Sequence, residues 1–196
     1  YLDTATDGVI RDRGTGLPLA GATVAALVAE GTEDGNVVFG EWPAGDSGQP
    51  NPQTTAADGK YGYSATTGVY RLQVERAGYQ PYRSGDIDAE SEILARDIAL
   101  SPVVADPATQ TIYITDNGFV PAAVTVAPGS VVEFVNIAFD ERGSAGSGWD
   151  SGLLHTGQGF KVRLTTAGAY AYGDSAAPLS QATITVAADA VLVENV

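Results

Sequence analysis

Apolar and polar side chains alternate along several stretches of this chain. From Tyr70 to Arg76, the apolar Tyr70, Leu72 and Val74 are interleaved with Arg71, Gln73 and Glu75. Successive side chains of an extended strand point to opposite faces, so this pattern predicts a strand with one face buried and one wet. Ala22, Val24, Ala26 and Val28 alternate with Thr23, Ala25 and Leu27, and here both faces are apolar enough for a more central strand. Val132, Phe134 and Asn136 alternate with Glu133 and Val135. Phe160, Val162 and Leu164 alternate with Lys161 and Arg163, and Tyr170 and Tyr172 share a face. Gly59, Gly68 and Gly78 fall where the chain must turn. The predicted class is all-β, in the form of antiparallel sandwiches.

The patterns form two groups. Leu100-Ser101-Pro102-Val103-Val104-Ala105-Asp106-Pro107-Ala108 ends one and precedes the strand pattern that starts at Gln110. Two prolines that a central strand would not accept make this a short, stiff linker. The expected division is a first sandwich over 1–105, a second over 106–187 and a tail strand over 188–196. Within the first, Glu30 to Gln53 is a long Gly- and Pro-rich excursion that embeds Val37-Val38-Phe39 and Trp42. Loops of that length are commonly functional or disordered, and the apolar residues argue against full disorder. In the tail, Val191, Leu192 and Val193 form an apolar run that favours a sheet edge. That edge could lie in the next subunit or in the same one, or the run could begin a further domain.

Charge and composition narrow the function classes. The net charge is −14 with only two lysines, Lys60 and Lys161, which leaves no basic stripe for nucleic acid or anionic lipid. No apolar run approaches the ~20 residues needed for a membrane span, so no membrane insertion is expected. The chain has no Cys, no Met and a single His, His155. Calcium is unsupported, because no Asp-x-Asp-x-Asp-Gly loop occurs and Asp7 to Asp12 and Asp140-Glu141 read as solvated turn residues. The chain opens at Tyr1 rather than Met, as expected of a cleaved leader or a trimmed segment.

Two resemblances carry more. Gly8-Val9-Ile10, Gly14 to Val24, Thr54 to Tyr61, Gly68 to Leu72, Ala77-Gly78-Tyr79 and Asp97 to Leu100 occur in the order of the carboxypeptidase regulatory-like domain. That resemblance implies a transthyretin-like, seven-stranded sandwich of accessory type. From Thr111 to Val186 the chain resembles a cupredoxin of the plastocyanin and amicyanin type. The signals are Asp116-Asn117-Gly118-Phe119-Val120-Pro121, Val124-Thr125-Val126, Ala127-Pro128-Gly129-Ser130, the strand through Phe134 to Asn136, Trp149-Asp150-Ser151-Gly152 and Gly168 to Tyr172. This resemblance implies a Greek-key sandwich in which His, Cys, His and Met hold copper. Here the corresponding positions are Arg142, Asp174, Ala177 and Ser180. A type 1 site needs a thiolate, two imidazoles and usually a thioether, so no cofactor is expected.

Catalysis is not expected either, since there is neither a nucleophile with its base nor a metal cluster. Two readings remain. The first is a non-catalytic structural protein, extracellular or at the cell surface, that self-associates into a filament or joins other surface proteins, with Val191, Leu192 and Val193 as the joint. The second is an accessory binding module with Trp42 and Trp149 as carbohydrate platforms, although Trp42 is equally suited to pinning its own loop and Trp149 to packing.

Overall fold

The computed structural model describes residues 7–33, 36–90, 93–176, 181–188 and 190. They are almost entirely strands and turns, and the one helical element among them is the 3-10 turn Ala44–Ser47. None of the described helices is long and apolar enough to cross a membrane. The chain divides into two compact units, Tyr1–Pro102 and Val103–Val196.

In the first unit the widest sheet is ordered Asn36–Glu41, Thr23–Glu33, Gly68–Glu75, Tyr82–Arg83, with Gln53–Thr54 beside Thr23–Glu33 and Ile87–Ala89 beside Gly68–Glu75. Its central pair runs in register from Thr23↔Glu75 to Val28↔Tyr70. This sets Val24, Ala26, Tyr70, Leu72 and Val74 on one buried face. A second sheet places Gly8–Asp12 between Ile98–Leu100 and Lys60–Tyr61, and a small pair joins Tyr63–Ser64 to Ile93–Leu94. Ile10, Tyr61, Tyr63, Leu94, Ile98 and Leu100 complete one apolar core. Gly59 is required where the chain enters this core. Its φ is +71°, and a β-carbon there would lie 2.5 Å from the Ile10 carbonyl oxygen.

The excursion from Glu30 to Gln53 is more ordered than a loop. Asn36–Glu41 pairs with the long strand Thr23–Glu33, and Trp42 enters the core just beyond it. Tyr63 and Tyr70 meet the Trp42 ring edge-on at 5.9 and 5.6 Å. Asn51 ties the far end of the segment down: its Nδ2 donates to the carbonyls of Ala26 and Trp42, and its Oδ1 accepts from the Ala26 N–H.

The second unit is a sandwich of two sheets. One is ordered Gly118–Val120, Gln110–Thr115, Ser130–Asn136, Gly159–Leu164. The other is ordered Ala123–Val126, Gln181–Val186, Gly168–Gly173, Ala145–Gly146, Trp149–Asp150. Between them lie Ile112, Ile114, Phe134, Phe160, Trp149, Tyr172 and Ile184. Most pairs are antiparallel, as expected. Gln110–Thr115 with Ser130–Asn136, and Ala123–Val126 with Gln181–Val186, are parallel instead. The cause is the route of the chain. After Gly118–Val120 it crosses to the opposite sheet as Ala123–Val126, then returns as Ser130–Asn136 in its original direction, and a parallel pair requires such a crossover.

Candidate functional site

Loops at one end of the second sandwich hold Arg142 and Asp174, two of the residues singled out as copper-ligand positions. Asn136, fully buried at the end of its strand, organises them. Its Nδ2 donates to the carbonyls of Asp140 (2.9 Å) and Leu154 (2.8 Å), and its Oδ1 accepts from the Ala138 N–H (3.0 Å). Arg142 and Leu154 exchange two backbone hydrogen bonds, which fixes the start of the Arg142 side chain. On the facing side, Asp174 follows directly on the strand Gly168–Gly173.

Arg142 and Asp174 meet. The guanidinium Nη1 lies 3.0 Å from Asp174 Oδ2, and the two side chains are 18% and 1% exposed. The other carboxylate oxygen, Oδ1, accepts from the N–H groups of Gly143 (3.3 Å) and Ala176 (2.9 Å). The Gly143 backbone sits so tightly that a β-carbon there would fall 2.1 Å from the Gly152 carbonyl oxygen. Arg142 and Asp174 therefore form a buried ion pair that joins two loops.

This donor set does not fit copper. A guanidinium is a fixed cation with no lone pair to give, and the Asp174 carboxylate is already occupied by three N–H donors. Ala177 and Ser180 lie outside the described residues. His155 does not join the ion pair. Its Nδ1 is 2.8 Å from Glu141 Oε1, and its side chain is 57% exposed. Among the described residues no three His, Cys, Asp or Glu side chains are grouped as a metal site.

The two tryptophans are core residues, not platforms. Trp149 is 1% exposed, stacks on Phe134 at 5.7 Å with a 24° interplanar angle, and lies against Tyr170 and Tyr172. Its Nε1 donates to Ser144 Oγ, the Ser144 N–H donates to Ser151 Oγ, and the Ser151 hydroxyl donates to the Gly152 carbonyl. Trp42 is 6% exposed and carries the aromatic contacts given above. Neither ring offers a face to a sugar, because each closes the apolar core beneath its own loop. The tail residues Val191, Leu192 and Val193 lie outside the described residues.

Asp12 also departs from expectation. It is 9% exposed rather than a solvated turn residue, because it ends the buried strand Gly8–Asp12. Its carboxylate accepts from the Tyr79 hydroxyl (2.7 Å), the Thr15 N–H (2.7 Å) and the Thr15 hydroxyl (3.0 Å). These donors, Tyr79 foremost, hold its carboxyl below the ordinary value of 3.8. A depressed carboxyl pKa adds stability that is present above the unfolded-state pKa and lost as pH falls through the folded one. Tyr79→Phe should therefore lower stability at neutral pH by about 1.5 kcal/mol, the low end for a hydrogen bond to a charged group. The difference should shrink as Asp12 protonates. Urea midpoints taken from neutral pH down to about pH 2 check this, and parallel pH profiles would contradict it.

No protein-family model and no curated protein sequence matches the chain. Among solved structures the chain is similar to a purple cupredoxin from Nitrosopumilus maritimus, with 20% identity and a TM-score of 0.38, over 40% of this chain and 99% of that one. It is similar also to a reduced amicyanin variant, with 19% identity and a TM-score of 0.40, over 43% of this chain and 86% of that one.

Proposed function

We propose that this protein is a non-catalytic structural subunit of an extracellular or cell-surface assembly. In this reading the second unit keeps a cupredoxin-like frame without electron-transfer chemistry, and the first is an accessory sandwich of the carboxypeptidase regulatory-like kind. The observation that carries the reading is the Arg142–Asp174 ion pair. In this reading its two members stand where the cupredoxin resemblance would put an imidazole and a thiolate, and the pair supports a structural link there in place of a metal. The burial of Trp42 and Trp149 withdraws support from the carbohydrate-binding alternative.

The joint proposed between copies is the tail run Val191, Leu192, Val193, added to a sheet edge of the next copy. Head-to-tail addition of this kind is heterologous and does not close, so it yields a filament. A charge of −14 on each copy opposes association until salt screens it. Sedimentation of the intact protein should show assembly that grows with concentration and with ionic strength. A variant lacking 187–196 should remain monomeric with an unchanged β-type circular dichroism spectrum. If the truncated protein assembles as well as the intact one, the tail is not the joint.

A further inference from the structure

The first unit presents an unguarded sheet edge. Thr23–Glu33 is flanked by Gly68–Glu75 only as far as Val28, and its remaining residues pair with Asn36–Glu41 alone. This part of the hairpin therefore stands clear of the sheet as a two-stranded arm. Among the described residues nothing pairs with the outer edge of Asn36–Glu41. Natural edge strands are commonly protected by Lys, by Pro or by a bulge in the edge strand itself. Asn36–Glu41 contains neither Lys nor Pro, and the one irregularity, between Ala29 and Gly31, is in its partner. Val37 and Val38 on this edge are 48% and 37% exposed.

Acidic groups cluster on one face of this edge. Glu30, Glu33 and Glu41 are all exposed, and no Lys or Arg occurs between Ala29 and Glu41. Arg71, on Gly68–Glu75, lies over the Phe39 ring at 4.1 Å, on the face opposite Glu30 and Glu33, and binds Asp86 at 2.6 Å. Unpaired backbone groups, exposed β-branched side chains and an acidic border together specify an occupant. It must be extended, with apolar side chains on the face of Val37 and Phe39 and cationic ones on the face of Glu30 and Glu33. The tail of a second copy does not meet this description. Its apolar run is flanked by Asp189 and Glu194, and like charges set opposite one another across a ladder are destabilising.

We propose that Asn36–Glu41 accepts an extended cationic segment of a partner protein by strand addition, with the partner's apolar side chains on the face of Val37 and Phe39 and its Lys or Arg side chains on the opposite face, beside Glu30 and Glu33. The site is separate from the tail joint and does not depend on whether the chain polymerises.

The test uses the intact chain, held at low concentration as a monomer, and three short synthetic peptides. One alternates Val and Lys, one alternates Val and Glu, and one is Lys-rich without Val. The Val/Lys peptide should bind and slow hydrogen exchange at amides within 36–41. Raising the salt to physiological strength should weaken it by roughly fivefold, as expected for two exposed charge pairs. Replacing Glu30 and Glu33 with Gln should remove most of that salt dependence, and Val37→Lys should abolish binding with the circular dichroism spectrum unchanged. Equal binding of the Val/Glu peptide, or of the Lys-rich peptide without Val, would overturn the proposal. So would protection that maps away from 36–41, or self-association through this edge without peptide.

Discussion

Asp174→Ala should destabilise the second unit by about 3–5 kcal/mol, the range for removing one partner of a buried ion pair. The size follows from what is left behind. The Arg142 guanidinium, 18% exposed, would keep its charge with no counter-charge, and Gly143 and Ala176 would lose the acceptor of their N–H groups. Arg142→Ala should cost less, about 1–3 kcal/mol, because Asp174 retains two backbone donors. The double variant Arg142→Met/Asp174→Leu should recover more than half of the Asp174→Ala loss, since well-packed apolar replacements of buried pairs are often neutral. Urea unfolding of the three variants measures all of this. If Asp174→Ala costs under about 1 kcal/mol, the ion pair is a surface decoration and does not hold the loops.

The other large effect is expected at Trp149. Trp149→Ala removes a ring stacked on Phe134 and packed against Tyr172, with 1% of its surface exposed. Such truncations cost about 3–5 kcal/mol, depending on how far the cavity collapses. Trp149→Phe should cost distinctly less, because a ring still stacks and the loss is confined to the donor to Ser144 Oγ and the smaller volume. With Trp149 gone, Trp42 is the only tryptophan, so fluorescence reports the first unit alone. Its transition should be unchanged while the circular dichroism transition of the second moves to lower urea. A shift of both together would show that the two units unfold as one.

The strand pattern was legible wherever one face of a strand is wet. Tyr70, Leu72 and Val74 are all buried, as their alternation with charged neighbours predicts. The class follows from many such runs and from the turns between them. Less was legible where long-range pairing decides. Val37-Val38-Phe39 reads as an apolar fragment of a loop, and becomes a strand only because Thr23–Glu33 runs long enough to pair with it. The parallel pairs were missed because alternation is the same whichever way a neighbour runs. Arg142 and Asp174 could be singled out by position, but not as partners: 32 residues separate them, and no local period links them. Asn136 read as an ordinary inward strand residue. The signal was a polar side chain at a buried register position, which requires hydrogen-bond partners.

The proposed role is that of a structural subunit without redox chemistry. The most direct measurement is negative-stain imaging of the purified, intact protein at low and at high salt. The account predicts dispersed particles at low salt, and unbranched filaments of constant width once the −14 charge is screened. Dispersed monomers under every condition, at the highest concentration attainable, would contradict it.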